Sequence, residues 1–304
     1  MSTKVKVILL SANAFSGSTI FSLFLGRHPE IVNLGEVINL ENDYNPNLVC
    51  TCGSKLLECS YWQTIKDKLD QDALKGSINF NLNATTKRSL IDRKGILLKK
   101  ILIILGFSPK TIYGKKEINN YLNKNTNFFK KIDNHFEHSK YIVDASKPPE
   151  RIDILLSSPD IDIYCIHLNR NLKSIFNSNL KRSKKTRNKF GFKFYRELLL
   201  LYMREKHRRR IFNKIHDANK ITIDFENFMN NPDLEYSKVL NFLFKDTLNK
   251  NNFDRNLLIK NQHIYVGNRW IFEKKSDNIY LNKSTIEAQQ KSKFKNKLIE
   301  FFLG

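Results

Sequence analysis

Cysteine, proline and glycine are scarce in this chain, at 4, 7 and 11 of 304 residues. Four cysteines are too few for a disulfide scaffold, and a chain of this length buries enough core to need no such staple. The low glycine and proline content excludes a collagen-like or linker-dominated protein. Acidic residues are outnumbered, 30 against 52 Lys plus Arg, a net charge of +22. That excess attracts anions without choosing among nucleic acid, phosphorylated small molecules, acidic polymers or an anionic membrane face. No apolar run approaches the roughly 20 residues that span a bilayer. The unbroken apolar stretch near the N-terminus, Val7–Leu10, is shorter than the roughly 7–15 residues of a secretory signal, so the segment reads as a buried first strand and the protein as cytoplasmic. What the chain has is 22 Phe, 11 Tyr and a 41% apolar share, which excludes a disordered protein.

Strand and helix signals alternate. Val5–Leu10, Tyr141–Val143, Ile161–Leu168 and Ile221–Asp224 are short apolar runs suited to central parallel strands. A Ser/Asn/Gly turn, Ser11–Thr19, follows the first, and Ile20–Leu25 then reads as a helix stopped by Gly26. Pro149 opens a helix through Leu156, and further helices are expected to about Lys181 and over Phe192–Arg210, Asp233–Phe244 and Ser284–Phe302. Residues 61–140 read as mostly helical, an insertion or acceptor-side lid within one domain of residues 1–304. The pattern predicts an α/β fold with a parallel β-sheet flanked by helices.

The candidate site begins in the first turn. Ser16-Gly17-Ser18-Thr19 offers a glycine, hydroxyls and successive N–H groups at a helix start, which suits phosphate. It lacks the lysine of a nucleotide triphosphatase loop, and alone it fits an ordinary helix start as well. It continues through Ile20-Phe21 to Leu25-Gly26-Arg27-His28-Pro29-Glu30-Ile31 and Leu34-Gly35-Glu36. This series resembles the 5′-phosphosulfate-binding loop of sulfotransferases that use 3′-phosphoadenosine 5′-phosphosulfate (PAPS), in particular a bacterial branch with a Ser-Gly-Ser-Thr loop. Cys50-x-Cys52-Gly53 with Glu58-Cys59 and Trp62 resembles the same branch, as does Val143-Asp144-Ala145-Ser146-Lys147-Pro148-x-x-Arg151. His167-Leu168-Asn169-Arg170-Asn171 with Ser178 resembles the family's 3′-phosphate site. Asp224-Phe225-Glu226-Asn227-Phe228 with Asn231-Pro232, and His263-x-x-x-Gly267-Asn268-Arg269, resemble later family segments.

The resemblance implies a P-loop-like sulfotransferase fold and transfer of a sulfuryl group from PAPS to an acceptor hydroxyl, on a carbohydrate or glycoconjugate such as a glycolipid, leaving adenosine 3′,5′-bisphosphate. It implies that Ser16, Gly17, Ser18 and Thr19 hold the 5′-phosphosulfate, that Arg170 and Ser178 hold the 3′-phosphate, and that Gly267, Asn268 and Arg269 make a late nucleotide contact. A planar Arg fork past a strand end suits phosphate. Glu36 becomes the general base, at the position used by tyrosine-protein sulfotransferases, and Lys147 neutralises charge on the transferred group. The plain alternatives are a capping Glu and a solvated Lys. Phe15 stands where many relatives carry Arg or Lys, and Asn171 where they carry Asp. Phe15 keeps open a nucleotide-binding protein without catalysis. The charge alone prompts a nucleic-acid binder, but no segment resembles such a module, and no nucleic-acid partner is expected.

Cys50, Cys52 and Cys59 could supply three zinc ligands, with His135 or His138 as a fourth. Cys-x-Cys is not the usual spacing, so thiols or a local disulfide are expected and no metal. Lys181–Lys189 and Arg204–Arg210 are solvated helix faces or receive an acidic or membrane-bound acceptor. Gly95–Phe107 could make a peripheral membrane contact but reads first as a core or lid helix.

Overall fold

The computed structural model describes residues 4–39, 49–55, 58–70, 98–99, 101–136, 138–182, 192–245, 256–258, 262–264 and 278–280. Five parallel strands form one sheet: β1 (Val5–Ser11), β2 (Ile31–Asn33), β3 (Tyr141–Asp144), β4 (Ile161–Asn169) and β5 (Lys220–Asp224). Their order is β2-β3-β1-β4-β5, with β1 central and in register with Ile142–Asp144 on one side and Ile161–His167 on the other. A short antiparallel pair, β6 (Asn256–Leu258) and β7 (Asn278–Tyr280), forms a separate ribbon. The helices are α1 (Ser18–Leu25), α2 (Ser60–Asp70), α3 (Pro109–Tyr113), α4 (Lys115–His135), α5 (Pro149–Leu155), α6 (Leu172–Arg182), α7 (Phe192–Asn213), α8 (Phe225–Asn230) and α9 (Pro232–Phe244).

The pleat of β1 explains the two-sided core. Val5, Val7 and Leu9 point to one face, packed with Trp62 of α2, Phe128 and Phe129 of α4, Ile152 of α5 and Ile211 of α7. Ile8 and Leu10 point to the other, packed with Phe21 and Phe24 of α1, Phe228 of α8 and Val239 of α9. Val7–Leu10 of β1 and Tyr141–Val143 of β3 are buried on both faces and apolar throughout, whereas Lys6 of β1 and Thr222 of the edge strand β5 are exposed. Each of the four longer strands extends its expected run by one residue. The α/β architecture is therefore the expected one. Segment 61–140 is helical wherever it is described between Ser60 and His135, apart from the short turns around Phe107 and Gly114. Most of Lys181–Lys189 and all of Ser284–Phe302 lie outside the described residues.

Gly26 is the expected stop: α1 ends at Leu25 and the Gly26 amide donates back to the Ser22 carbonyl at 3.0 Å. Its backbone is right-handed (φ −68°), which any residue can adopt. A Cβ there would lie 2.3 Å from Oε1 of Gln262, so the side chain is excluded by a close approach of distant chain.

A buried ion pair closes the carboxyl end of β3. Asp144 accepts from Arg151 Nε at 2.7 Å and from the Ser146 amide at 2.9 Å. Arg151, only 1% exposed, also donates to Tyr121 Oη and Asn125 Oδ1. Removing one partner of such a pair strands a buried charge and costs about 3–5 kcal/mol. Arg151→Met is expected to lower Tm by about 5–8 °C in thermal denaturation. Adding Asp144→Asn is expected to recover part of that loss.

Candidate functional site

The carboxyl ends of the strands set out the candidate residues in sheet order. Glu36 follows β2, Lys147 follows β3, loop 12–17 follows β1, Arg170 follows β4 and Glu226 follows β5. Open parallel sheets bind ligands along this edge. Strand spacing of about 4.8 Å puts β3 and β4 about 10 Å apart, with the β1 loop between them.

The loop is built for close approach. Gly17 adopts φ +85°, and a Cβ on it would lie 2.0 Å from the Phe225 ring. Phe15 is also left-handed (φ 65°), unusual for an aromatic residue. Its carbonyl is held by Arg170 Nη1 at 2.7 Å. The same guanidinium lies over the Phe225 ring at 4.8 Å and 3.8 Å from Glu226. Burial lowers the pKa of Arg170 while Glu226 pulls it back, and burial raises that of Glu226. Two polar atoms here are buried without a hydrogen bond, Ser16 Oγ and Arg170 Nε. Such atoms are expensive to leave unmade, and an oxyanion would satisfy both types. The first turn of α1 carries no acidic residue and no side-chain cap, so its N–H groups present positive potential at the same place.

Glu36 and Lys147, the two expected catalytic residues, form an ion pair and are each mostly buried. Neighbouring bonds fix the pair. Asn33 Oδ1 accepts from the Gly35 amide at 3.1 Å, Gly35 carbonyl from the Ala145 amide at 2.8 Å, and Ser146 Oγ from the Ile38 amide at 3.0 Å. Gly35 (φ +68°) turns the chain between Asn33 and Glu36. These bonds zip the ends of β2 and β3 together.

Beneath the loop lies a polar cluster that sequence reasoning missed. Asn13 donates to Glu205 Oε2 at 2.8 Å and accepts from Arg208 Nη1 at 2.6 Å. Arg209 reaches Glu205 Oε1 at 2.9 Å, and His167 Nε2 lies 3.9 Å from the same oxygen. Burial would raise Glu205, but Arg208 and Arg209 outweigh it and hold its carboxyl below the usual value. Arg208 is 4% exposed, so the Arg204–Arg210 stretch is not simply a solvated face. The spacing of Glu205 and Arg208, one helical turn apart on α7, was the available signal.

The remaining expected residues divide. Asn171 caps α6, its Oδ1 accepting from the Lys173 amide at 2.9 Å, so this departure keeps the helix start. Ser178 donates to the Ser174 carbonyl at 2.8 Å, within its own helix. Gly267, Asn268 and Arg269 lie outside the described residues. The three clustered cysteines are not in disulfides and gather with His263, rather than with His135 or His138.

No family model and no curated sequence matches the chain. In fold the chain is similar to the sulfotransferase domain of the Synechococcus PCC 7002 olefin synthase, with a TM-score of 0.48, 13% identity, and coverage of 99% of this chain and 96% of that one. It is similar to the sulfotransferase domain of the curacin biosynthetic pathway at 0.47 and 12%, covering 99% and 97%. A sulfotransferase of Mycobacterium tuberculosis H37Rv follows at 0.46 and 11%, covering 87% and 73%. Among the described residues, no helix is long and apolar enough to cross a membrane.

The α7 cluster carries a pH dependence. Burial and the nearby guanidinium of Arg210, which donates to His207 Nδ1 at 2.6 Å, push His207 down to about 4. Burial lowers His167 too, against Glu205. Unfolded histidine takes up its proton near pH 6.5, roughly. The unfolded chain therefore binds more protons between pH 6.5 and 4, and stability present above that window is lost as pH falls through it. His207 alone accounts for about 3 kcal/mol at most. Urea unfolding across this range is expected to show the loss, and His207→Gln is expected to flatten it.

Proposed function

We propose that this protein transfers the sulfuryl group of PAPS to a hydroxyl of an acceptor, a carbohydrate or glycoconjugate. The observation that carries the reading is the row along the carboxyl edge: a Glu–Lys pair, a glycine loop with an orphaned Ser16 hydroxyl, and Arg170 beyond it. An elongated nucleotide with anionic groups at both ends matches that row in charge and order. Ser16, Gly17 and the N–H groups of Ser18 and Thr19 receive the 5′-phosphosulfate. Arg170 receives the 3′-phosphate, exchanging its weak contact with Glu226 for a charge-assisted bond.

The acceptor oxygen attacks sulfur in line with the bridging oxygen. The new S–O bond forms as the bridging S–O bond breaks, and adenosine 3′,5′-bisphosphate leaves. Glu36 takes the proton from the acceptor hydroxyl. Lys147, in contact with Glu36, places positive charge beside the sulfonate as charge builds on the leaving phosphate. The Phe15 side chain supplies no cation, so Lys147 and backbone N–H groups carry that stabilisation. The preference for a sugar hydroxyl rests on the family resemblance, and residues 61–140 are the proposed acceptor side.

Adenosine 3′,5′-bisphosphate near 100 times Kd is expected to stabilise the protein by about 2.7 kcal/mol, read as a Tm increase. AMP is expected to do less, and Arg170→Ala to erase the difference. With radiolabelled PAPS and a panel of glycans, glycolipids and phenols, Glu36→Gln is expected to lose at least about 100-fold in transfer while still binding nucleotide. Full activity in that variant removes Glu36 from the role. Binding without transfer to any acceptor replaces the enzyme by a nucleotide-binding protein.

A further inference from the structure

The cysteine segment gathers four potential ligands that the proposed reaction does not use. Cys50, Cys52, Cys59 and His263 hold their ligand atoms within 4.8 Å of one another. Cys52 Sγ and Cys59 Sγ are 3.7 Å apart, and Cys59 Sγ lies 3.5 Å from His263 Nδ1. Zinc bonds of about 2.3 Å to sulfur and 2.0–2.1 Å to nitrogen, at tetrahedral angles, give edges of about 3.8 Å between sulfurs and 3.6 Å from sulfur to nitrogen. Both measured edges fit. A disulfide needs sulfurs about 2.05 Å apart, which this pair is not. A multi-iron cluster would spread its ligands more widely than this group.

The surroundings hold the ligands in place. Val49 and Lys55 close a small hairpin, in which the Cys50 amide donates to the Ser54 carbonyl at 2.8 Å and the Gly53 amide to the Cys50 carbonyl at 2.9 Å. Gly53 at φ +92° makes the turn that brings Cys50 and Cys52 to one side. Cys59 immediately precedes α2. His263 arrives from 204 residues further along the chain. It is pinned on three sides: Thr51 exchanges hydrogen bonds with Ile264, Trp62 Nε1 donates to the His263 carbonyl at 2.6 Å, and Tyr61 stacks on the imidazole at 4.8 Å. His263 itself sits in the left-handed region at φ 49°, a strained conformation for histidine that these contacts maintain.

We propose that Cys50, Cys52, Cys59 and His263 form a structural tetrahedral zinc site, in place of the expectation of thiols or a disulfide. Zinc replaces the three thiol protons, which pass to solvent, and binds the Nδ1 lone pair of His263, with the imidazole proton on Nε2. Four protein ligands leave no open position, so the centre is structural, not catalytic. It fastens the 262–264 segment to the N-terminal half, where Gln262 already donates to the Leu23 carbonyl at 3.0 Å.

The test is the metal content of the full-length protein, expressed with zinc and freed of loose metal. One zinc per chain is expected, lost in Cys52→Ala and kept in Cys165→Ala, since Cys165 lies in β4 outside the group. If Cys52→Ala fails to fold, His263→Cys decides: the cobalt-substituted variant is expected to keep tetrahedral ligand-field bands and gain thiolate charge-transfer intensity over cobalt-substituted wild type. Wild type that carries no zinc, with all four thiols free to alkylation after unfolding, overturns the proposal. So does a Cys52–Cys59 disulfide in the intact mass. Zinc at full occupancy in a protein that ignores adenosine 3′,5′-bisphosphate supports the metal site and counts only against the proposed transfer reaction.

Discussion

The pairing of Asp144 with Arg151 is the constraint on which the candidate site depends. A carboxylate at the end of a buried strand is unfavourable unless it is paired and its remaining lone pairs are used. Here one oxygen takes the guanidinium and the other takes the Ser146 amide. The second bond turns the chain at Ser146, so that its hydroxyl accepts from Ile38 and Lys147 meets Glu36. Arg151 in turn ties α5 to Tyr121 and Asn125 of α4. Lys147 thus stands on a turn whose geometry is set inside the core, and Glu36 is held against it by the bonds that join Gly35 to Ala145 and Ile38 to Ser146.

The loop after β1 is supported by the same device on the other side of the strand. Asn13 is clamped between Glu205 and Arg208. Arg170 reaches over from β4 to hold the Phe15 carbonyl. Charge that is buried and paired below the loop fixes its backbone, while Ser16 Oγ and Arg170 Nε are left without a hydrogen bond. A rigid loop with unmet hydrogen-bonding capacity is preorganised for an anion and loses little entropy on binding it.

The sheet was legible because its central strands are largely buried on both faces, so that Val7–Leu10 and Tyr141–Val143 are apolar throughout. The three-residue β2 gave no such run, and α8 is too short for a period. Gly26 reads from sequence as the helix stop it is, but that Phe225 fills the space beside Gly17 and Gln262 the space beside Gly26 was not legible, because both are distant in the chain. Glu36, Lys147 and Arg170 emerge from family resemblance, and the strand order then lays them along one edge. Glu205 and Arg208 were hidden in a run of basic residues, where composition suggests solvent and only the packing of α7 shows burial. The fourth ligand of the cysteine group was hidden for the same reason as Gln262: nothing local to Cys50–Cys59 points to residue 263.

The most direct measurement is a crystal structure with adenosine 3′,5′-bisphosphate bound. The account predicts the 5′-phosphate on the backbone of Ser16–Thr19 with Ser16 Oγ engaged, and the 3′-phosphate on Arg170 in place of Glu226. A nucleotide bound away from the carboxyl edge of the sheet, or one on that edge with Arg170 still turned to Glu226, would contradict it.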